Sequence, residues 1–313
     1  MEQVTQKTHL QKFTSADHPV RRIRRLKELL IEGILFLCAA TSVLVTVGII
    51  YILIKESLPF FEVVSIKEFV TGTVWTPLFS EARYGILPLV GGTLLVTFIA
   101  LLVAIPMGTV IASFLSEYVT SRTREIVKPI LELLAAVPTV VYGYFALVFV
   151  TPILQKIFPD MSGFNVLSAG LVIGIMIVPY ISSLAEDAMK SVPSYLREGS
   201  YALGASRLQT AFRVVYPAAF SGISSAYILG ISRALGETMV VAIAAGMQPN
   251  LTLNPLEPSA TITAFIVQVS MGDLPHGSIG YQSIYVAGLT LFIMTLFFNI
   301  IGFVLRKRYR EII

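Results

Sequence analysis

The sequence predicts an all-α integral membrane protein with six transmembrane helices. Of its 313 residues, 55% are hydrophobic and only 13% are charged, and the mean hydropathy is +0.78, whereas soluble proteins carry about 25% charged residues. The apolar residues are gathered into six runs of 19 residues or more. A helix needs about 20 apolar residues to cross a bilayer, and a tilted barrel strand only about 10. The runs therefore have the length of helices, and none alternates as a barrel strand does.

The six runs divide the chain into spans and connections. In chain order they cover residues 29–54, 86–114, 130–154, 166–184, 218–245 and 284–305. We accordingly predict a basic tail over 1–28, a first helix with an external loop over 29–85, a membrane domain over 86–305 that includes a polar loop over 190–217, and a short tail over 306–313.

The distribution of basic residues predicts the orientation. Eighteen of the 23 Lys and Arg residues fall in the two tails and in the second and fourth loops, four fall in the other loops, and Arg233 lies inside a run. Basic residues accumulate on the cytoplasmic side of membrane proteins. Both termini and the loop 190–217 are therefore predicted to be cytoplasmic, in a multi-pass protein of the cell membrane. The net charge of +4 follows from this asymmetry and does not indicate nucleic-acid binding.

Redox and metal chemistry are not indicated. Cys38 is the single cysteine and lies in the first run, so the chain has no internal disulfide. The three histidines are scattered through the loops and the tail, without the paired spacing of a metal site.

The run 218–245 contains two charged residues, Arg233 and Glu237. At a spacing of four they share one face of a continuous helix, at a depth where a charged side chain costs on the order of 2.5 to 3.5 kcal/mol. Intramembrane charges mark transport pathways or pair within the protein, and the Arg guanidinium matches the oxygens of phosphate or carboxylate. We predict an anion pathway at Arg233, with Glu237 as its counter-charge and Thr238 in the same site. The alternative is a structural ion pair between helices.

The loop 190–217 carries the signals of two short helices. Pro193 can begin a helix that runs to Ala202, Gly204 ends it, and Ser206 with Gln209 can form a capping box for a second helix. Two helices hinged at a glycine would present a surface to a partner; an ordinary connection between spans is the alternative.

The external loops have some structure of their own. The loop 55–85 is rich in aromatic residues and predicts a small cap, with Trp75 as an anchor at the membrane interface. The apolar segment 260–271 is too short to cross and predicts an interfacial or re-entrant helix.

The same cytoplasmic loop resembles the EAA motif of ABC importer permeases. Glu198, Gly204, Val214 and Pro217 fit its anchors, with the glycine six positions and the proline nineteen positions after the glutamate. The chain departs from the motif at Gly199, Ser200 and Tyr216, where the family has two alanines and a leucine. The resemblance implies that this loop is the coupling surface for an ATPase.

Two further segments narrow the resemblance. SRALGETMVV over 232–241 is similar to the signature of phosphate importer permeases, and ELLAAVPTVVYG over 132–143 resembles the PstC-type subunit. The resemblance runs from about residue 75 to the C-terminus. It implies a type I ABC importer permease bundle in a prokaryotic inner membrane that transports phosphate.

The implied partners are a PstA-type permease, two PstB-type ATPases and an external PstS-type phosphate-binding protein. The chain lacks the phosphate loop G-x-x-x-x-G-K-[ST], so ATP and Mg²⁺ are expected on the ATPase and no cofactor on this chain, which is a transport subunit and not an enzyme.

The remaining alternatives are a permease for another oxyanion, an autonomous anion channel or secondary transporter, and a membrane enzyme. A secondary transporter often shows inverted repeats, and the two halves of this chain show no convincing repeat. A membrane enzyme would need a cluster of His, Asp or Cys with catalytic spacing, which the sequence lacks.

Overall fold

The computed structural model describes residues 18–79, 81–275 and 277–310, which are almost entirely helical. Numbered in chain order, the helices are α1 (His18–Val63), α2 (Ile66–Thr71), α3 (Leu87–Glu117), α4 (Ser121–Ala135), α5 (Thr139–Phe145), α6 (Thr151–Ile157), α7 (Val166–Lys190), α8 (Ser194–Ala202), α9 (Arg207–Thr210), α10 (Tyr216–Ala218), α11 (Phe220–Leu235), α12 (Ile262–Gln268) and α13 (Ile279–Arg310). Wide π-helical turns occupy Ala146–Val150, Ala211–Val215, Val241–Ala245 and Val269–Asp273. The all-α prediction is confirmed.

Within the described residues, five helical stretches are long and apolar enough to cross a membrane. They are Lys27–Val63, Leu87–Glu117, Thr139–Ile157, Val166–Lys190 and Ile279–Arg308. A sixth is present if Phe220–Leu235 is counted together with Arg207–Ala218, from which it is bent by 77°. The number agrees with the six predicted spans, but the sixth differs from the predicted run 218–245, because it includes residues 207–218 of the predicted loop and ends at Leu235.

Several boundaries differ from those of the apolar runs. The run 130–154 is not one helix, because α4 ends at Ala135 and helix resumes only at Thr139. Pro138 accounts for the interruption, since proline cannot donate a backbone hydrogen bond and it disfavours helix at the residue before it. At the N-terminus, α1 begins at His18, inside the predicted tail. Residues 1–17 and 311–313 of the predicted tails lie outside the described residues.

The chain forms two compact units, Met1–Leu53 and Ile54–Ile313. In the first unit, the described residues belong to α1, and none of residues 27–53 is buried within the chain. In the second unit, α3 and α7 pack along each other around fully buried small residues such as Ala100, Ala104 and Ala169. Small side chains let membrane helices approach closely, and this pair forms the centre to which α5, α11 and α12 attach.

A second core in the same unit is aromatic. Trp75 is 1% exposed, and its ring meets those of Phe69, Tyr84 and Phe265 edge to face. The predicted cap over 55–85 therefore exists and packs on α12, the short helix predicted over 260–271. The interpretation of Trp75 as an interfacial anchor is wrong, because the surrounding rings bury its indole.

Candidate functional site

The helix predicted over 218–245 is broken where the charged pair lies. α11 ends at Leu235, Gly236 follows it, and helix resumes at Met239, leading into the π-helical turn Val241–Ala245. The prediction that Arg233 and Glu237 share one face of a continuous helix is therefore wrong. The physical reason is local: glycine is a poor helix former, and the Glu237 side chain bonds the amides with which a new helix begins.

Glu237 caps the resumed helix. The residue is only 5% exposed. Its side-chain oxygen Oε1 accepts hydrogen bonds from the amides of Met239 at 3.2 Å and Val240 at 3.4 Å. Its carbonyl oxygen accepts a hydrogen bond of 2.6 Å from Thr263 Oγ1 on α12. A carboxylate at a helix N-terminus satisfies free amides and favours the helix dipole. Glu237 thus holds the break in place.

Arg233 lies in the last turn of α11 and is exposed. At 1.5 Å per residue it stands about 20 Å along the helix from Phe220. Among the described residues, nothing forms an ion pair or hydrogen bond with its guanidinium, Glu237 included. The donors of the Arg233 guanidinium are therefore unused within the described residues.

The remaining polar groups of the break are engaged with nearby atoms. Thr238 is partly exposed, and its Oγ1 donates to the carbonyl oxygen of Gly236 at 3.2 Å. Ser232 Oγ donates to Asn299 Oδ1 of α13 at 3.3 Å. The structure therefore brings Arg233, Glu237 and Thr238 to one helix break, but it joins Glu237 to the backbone instead of to Arg233.

The segments 132–143 and 232–241, which resemble phosphate importer permeases, contact each other at this break. A Cβ on Gly143 of α5 would lie 3.1 Å from both the carbonyl oxygen of Met239 and the Cβ of Ile243. The close approach of α5 to the resumed helix thus favours the glycine at the end of the segment 132–143, because a Cβ there would push its neighbours by a few tenths of an ångström. The contact links two helices that are each interrupted just before it, one at Pro138 and one at Gly236.

The loop 190–217 folds as predicted. α8 follows Pro193 and ends at Ala202, and Ser206 and Gln209 form both hydrogen bonds of a capping box at the start of α9. Gly204 has φ +83°, a left-handed conformation that favours glycine.

Large apolar side chains on α8, on α9 and in the turn between them are exposed. Tyr195 is 68% exposed, Leu203 90% and Leu208 58%, and exposed apolar patches mark interaction surfaces. Of the EAA-like positions, Glu198, Gly204 and Pro217 are exposed and Val214 is partly buried. A groove of about 430 Å³ is lined by Leu196, Ser200, Leu203, Gly204, Ala205, Gln209, Arg213 and Val214. We call α8, α9 and this groove the coupling surface.

Sequence reasoning missed an ion cluster between α4 and α7. The Glu186 side chain is fully buried and lies 2.5 Å from Arg124 Nε and 3.0 Å from Lys128 Nζ, and Lys128 also contacts Asp187 at 2.5 Å. Burial lowers the pKa of Lys128, but its hydrogen bonds to Asp187 and Glu186 raise it, and the net pKa is raised. The one sequence signal was the spacing of four between the two cations, which puts them on one helix face.

The comparisons with known proteins agree with this architecture. Residues 104–311 match the family described as "Binding-protein-dependent transport system inner membrane component". The chain belongs to this family. It is 36% identical over 280 residues to the probable ABC transporter permease protein YqgH of Bacillus subtilis, which covers 89% of this chain and 90% of YqgH.

Other relatives are named as phosphate transport permeases, among them two PstC proteins. The PstC protein of Xylella fastidiosa strain 9a5c is 34% identical over 247 residues, covering 72% of this chain and 74% of its own. A probable PstC of Methanocaldococcus jannaschii is 32% identical over 277 residues, covering 82% and 86%. The resemblance to PstC-type permeases is thereby confirmed.

Solved structures share the fold. A bacterial ABC transporter that imports the acidic polysaccharide alginate aligns with a TM-score of 0.63 at 17% identity, over 91% of this chain and 99% of that one. The MetNI methionine ABC transporter aligns with a TM-score of 0.53 at 16% identity, over 72% and 94%. The chain therefore has the fold of a type I ABC importer permease.

Proposed function

We propose that the chain is the PstC-type subunit of an ATP-driven importer and that it moves inorganic phosphate through the membrane past Arg233. The observation that carries this proposal is the exposed Arg233 guanidinium, unpaired among the described residues, at a break in a spanning helix. The names of the two PstC relatives support phosphate as the substrate.

The chemistry of the break suits an oxyanion that binds weakly and is released again. A guanidinium offers two parallel N–H donors to phosphate oxygens and remains charged at every physiological pH. Discontinuous membrane helices commonly form substrate sites because their ends expose backbone dipoles. Here Glu237 already occupies the free amides, so an arriving phosphate meets Arg233 beside a fixed negative charge. That charge lowers the net attraction and favours release.

The assembly follows from the coupling surface. We propose that an ATPase of the PstB type docks on α8 and α9 through Glu198, Gly204, Val214 and Pro217, and that ATP and Mg²⁺ bind to that partner. A PstA-type permease would complete the pathway, and a PstS-type binding protein would deliver phosphate on the opposite side. The coupling surface and both termini are then cytoplasmic, as the basic residues predict.

Phosphate uptake by the reconstituted complete importer tests the role of Arg233. Hydrogen bonds to a charged group contribute about 1.5 to 3 kcal/mol, so Arg233→Gln should lower the uptake of labelled phosphate by about ten- to a hundredfold in assembled complexes. Arg122→Gln is the matched control, because Arg122 is an exposed arginine of α4 outside the spans. Equal uptake by both variants would contradict the pathway role. Competition of unlabelled sulfate as effective as that of phosphate would show that another oxyanion is the substrate.

A further inference from the structure

One arginine, Arg197, attaches α8 to the neighbouring helices. Its Nε donates to Glu117 Oε1 at 3.2 Å and Oε2 at 3.1 Å, and its Nη2 donates to Oε1 at 2.9 Å. The same guanidinium donates to the carbonyl oxygen of Val192 at 2.7 Å and to that of Met189 at 2.8 Å. The Arg197 side chain therefore donates five hydrogen bonds.

These contacts join three helices. Glu117 is the last residue of α3, Met189 lies in the last turn of α7, and Val192 follows two residues after the end of α7. The last carbonyls of a helix lack the partners of its interior. The Met189 carbonyl accepts from Val192 N at 3.3 Å, and Arg197 adds a donor to the carbonyls of both Met189 and Val192. The Glu117 side chain is 2% exposed and that of Arg197 18%, so the pair is screened little by solvent.

Other attachments of α8 to the membrane domain are few. None of its residues is buried, although Leu196 is partly buried against the core that includes Ala185, Met189 and Ile223. The hydrogen bond between Ser200 and Thr210, 2.8 Å long, connects α8 only to α9. Arg197 is thus the main polar link from α8 to the ends of α3 and α7.

The helices that Arg197 joins lead to the site of Arg233. α3 and α7 pack along each other, and one buried cluster contains Ala100 of α3, Ile173 of α7, Ala234 of α11 and Val241 after the break. A tightly packed core transmits a displacement instead of absorbing it.

We propose that Arg197 is a positioning residue for energy coupling, which makes α8 move as one body with the ends of α3 and α7. The inference rests on the proposed function, since it requires an ATPase that docks on α8. Removing the guanidinium would leave the ATPase able to bind and hydrolyse ATP, while less of its motion reaches the phosphate pathway.

The test is the number of phosphate ions imported per ATP hydrolysed by the complete importer in proteoliposomes. For Arg197→Met this ratio should fall about tenfold, within the range of 5- to 150-fold that is typical of coupling between sites. Arg197→Lys should give an intermediate ratio, because an ammonium can reach Glu117 but cannot span the two carbonyls as well. Arg122→Met, which changes an exposed arginine, should keep the wild-type ratio.

A merely structural Arg197 would lower the yield of complex and leave the ratio of the surviving complexes unchanged, and that result would overturn the proposal. If Arg197→Met does not assemble, the ratio of Arg197→Lys decides: a value below that of Arg122→Met supports the proposal, and an equal value refutes it.

A further variant, Leu203→Asp, distinguishes a failure of this inference from a failure of the proposed function. The measurement is whether the purified Leu203→Asp complex retains the ATPase. Loss of the ATPase from Leu203→Asp, combined with a wild-type ratio in Arg197→Met, would refute only the role of Arg197. Full retention and full import by Leu203→Asp would refute docking at α8, and the role of Arg197 with it.

Discussion

Replacing Glu237 by Gln and by Ala distinguishes its role as a helix cap from its role as a counter-charge. Gln keeps an oxygen that can accept from the amides of Met239 and Val240, whereas Ala removes the acceptor. Loss of a helix cap costs about 0.5 to 2 kcal/mol, and a buried amide left without a partner costs about 1 to 3 kcal/mol. Val240 is fully buried, so we expect Glu237→Ala to lower the unfolding free energy by about 1 to 3 kcal/mol and Glu237→Gln to change it little.

The unfolding free energy can be measured by denaturant titration of the purified complex in detergent micelles. Glu125→Ala is the matched control, because Glu125 is an exposed acidic residue on α4. Equal destabilisation by Gln and Ala would show that the charge of Glu237 matters and not its acceptor oxygen, and would refute the assignment as a cap.

Three further predictions concern the coupling surface, the ion cluster and the orientation. Gly204→Val should weaken ATPase retention because of its positive φ, whereas Gly204→Asn, which tolerates that conformation, should retain more ATPase; equal retention by both variants would count against the docking role. Glu186→Gln leaves two cations without their buried partner and should lower the unfolding free energy by about 3 to 5 kcal/mol. Asp187→Asn, at a more exposed residue, should lower it by about 0 to 1 kcal/mol. Denaturant titration compares the two variants, and similar losses of stability would contradict the prediction. In a chain without its native cysteine, Ser65→Cys should react with an impermeant thiol reagent in intact cells and Arg207→Cys only after the cells are opened; the reverse pattern would overturn the orientation.

The sequence predicted those features whose signals are local. Apolar runs located the spans because the bilayer sets their length, and the capping box and glycine located α8 and α9 because caps and left-handed turns depend on neighbouring residues. The prediction of one continuous helix over 218–245 was wrong. The apolar composition continues through Gly236, and composition alone does not show where a helix is broken. The EAA-like positions were found by spacing within a single loop.

The polar contacts that attach these elements could not be found in the same way. Arg197 and Glu117 are 80 positions apart, and Arg124 and Glu186 are 62 apart. Which of the 23 basic residues meets which acidic residue depends on the packing of α3, α4 and α7, which a single sequence does not specify. Trp75 was misassigned for a related reason, since Phe265, which helps to bury it, comes from a distant part of the chain.

Labelled phosphate uptake by assembled complexes carrying Arg233→Gln alone, and Arg233→Gln together with Glu237→Gln, tests the central claim most directly. If Arg233 binds phosphate on the pathway, both complexes should transport poorly, because neither has the guanidinium. If Arg233 has no role on the pathway, assembled complexes of both variants should transport phosphate at the wild-type rate, because the exposed guanidinium makes no contact with Glu237 that either variant would break. Wild-type uptake by the double variant would contradict the account.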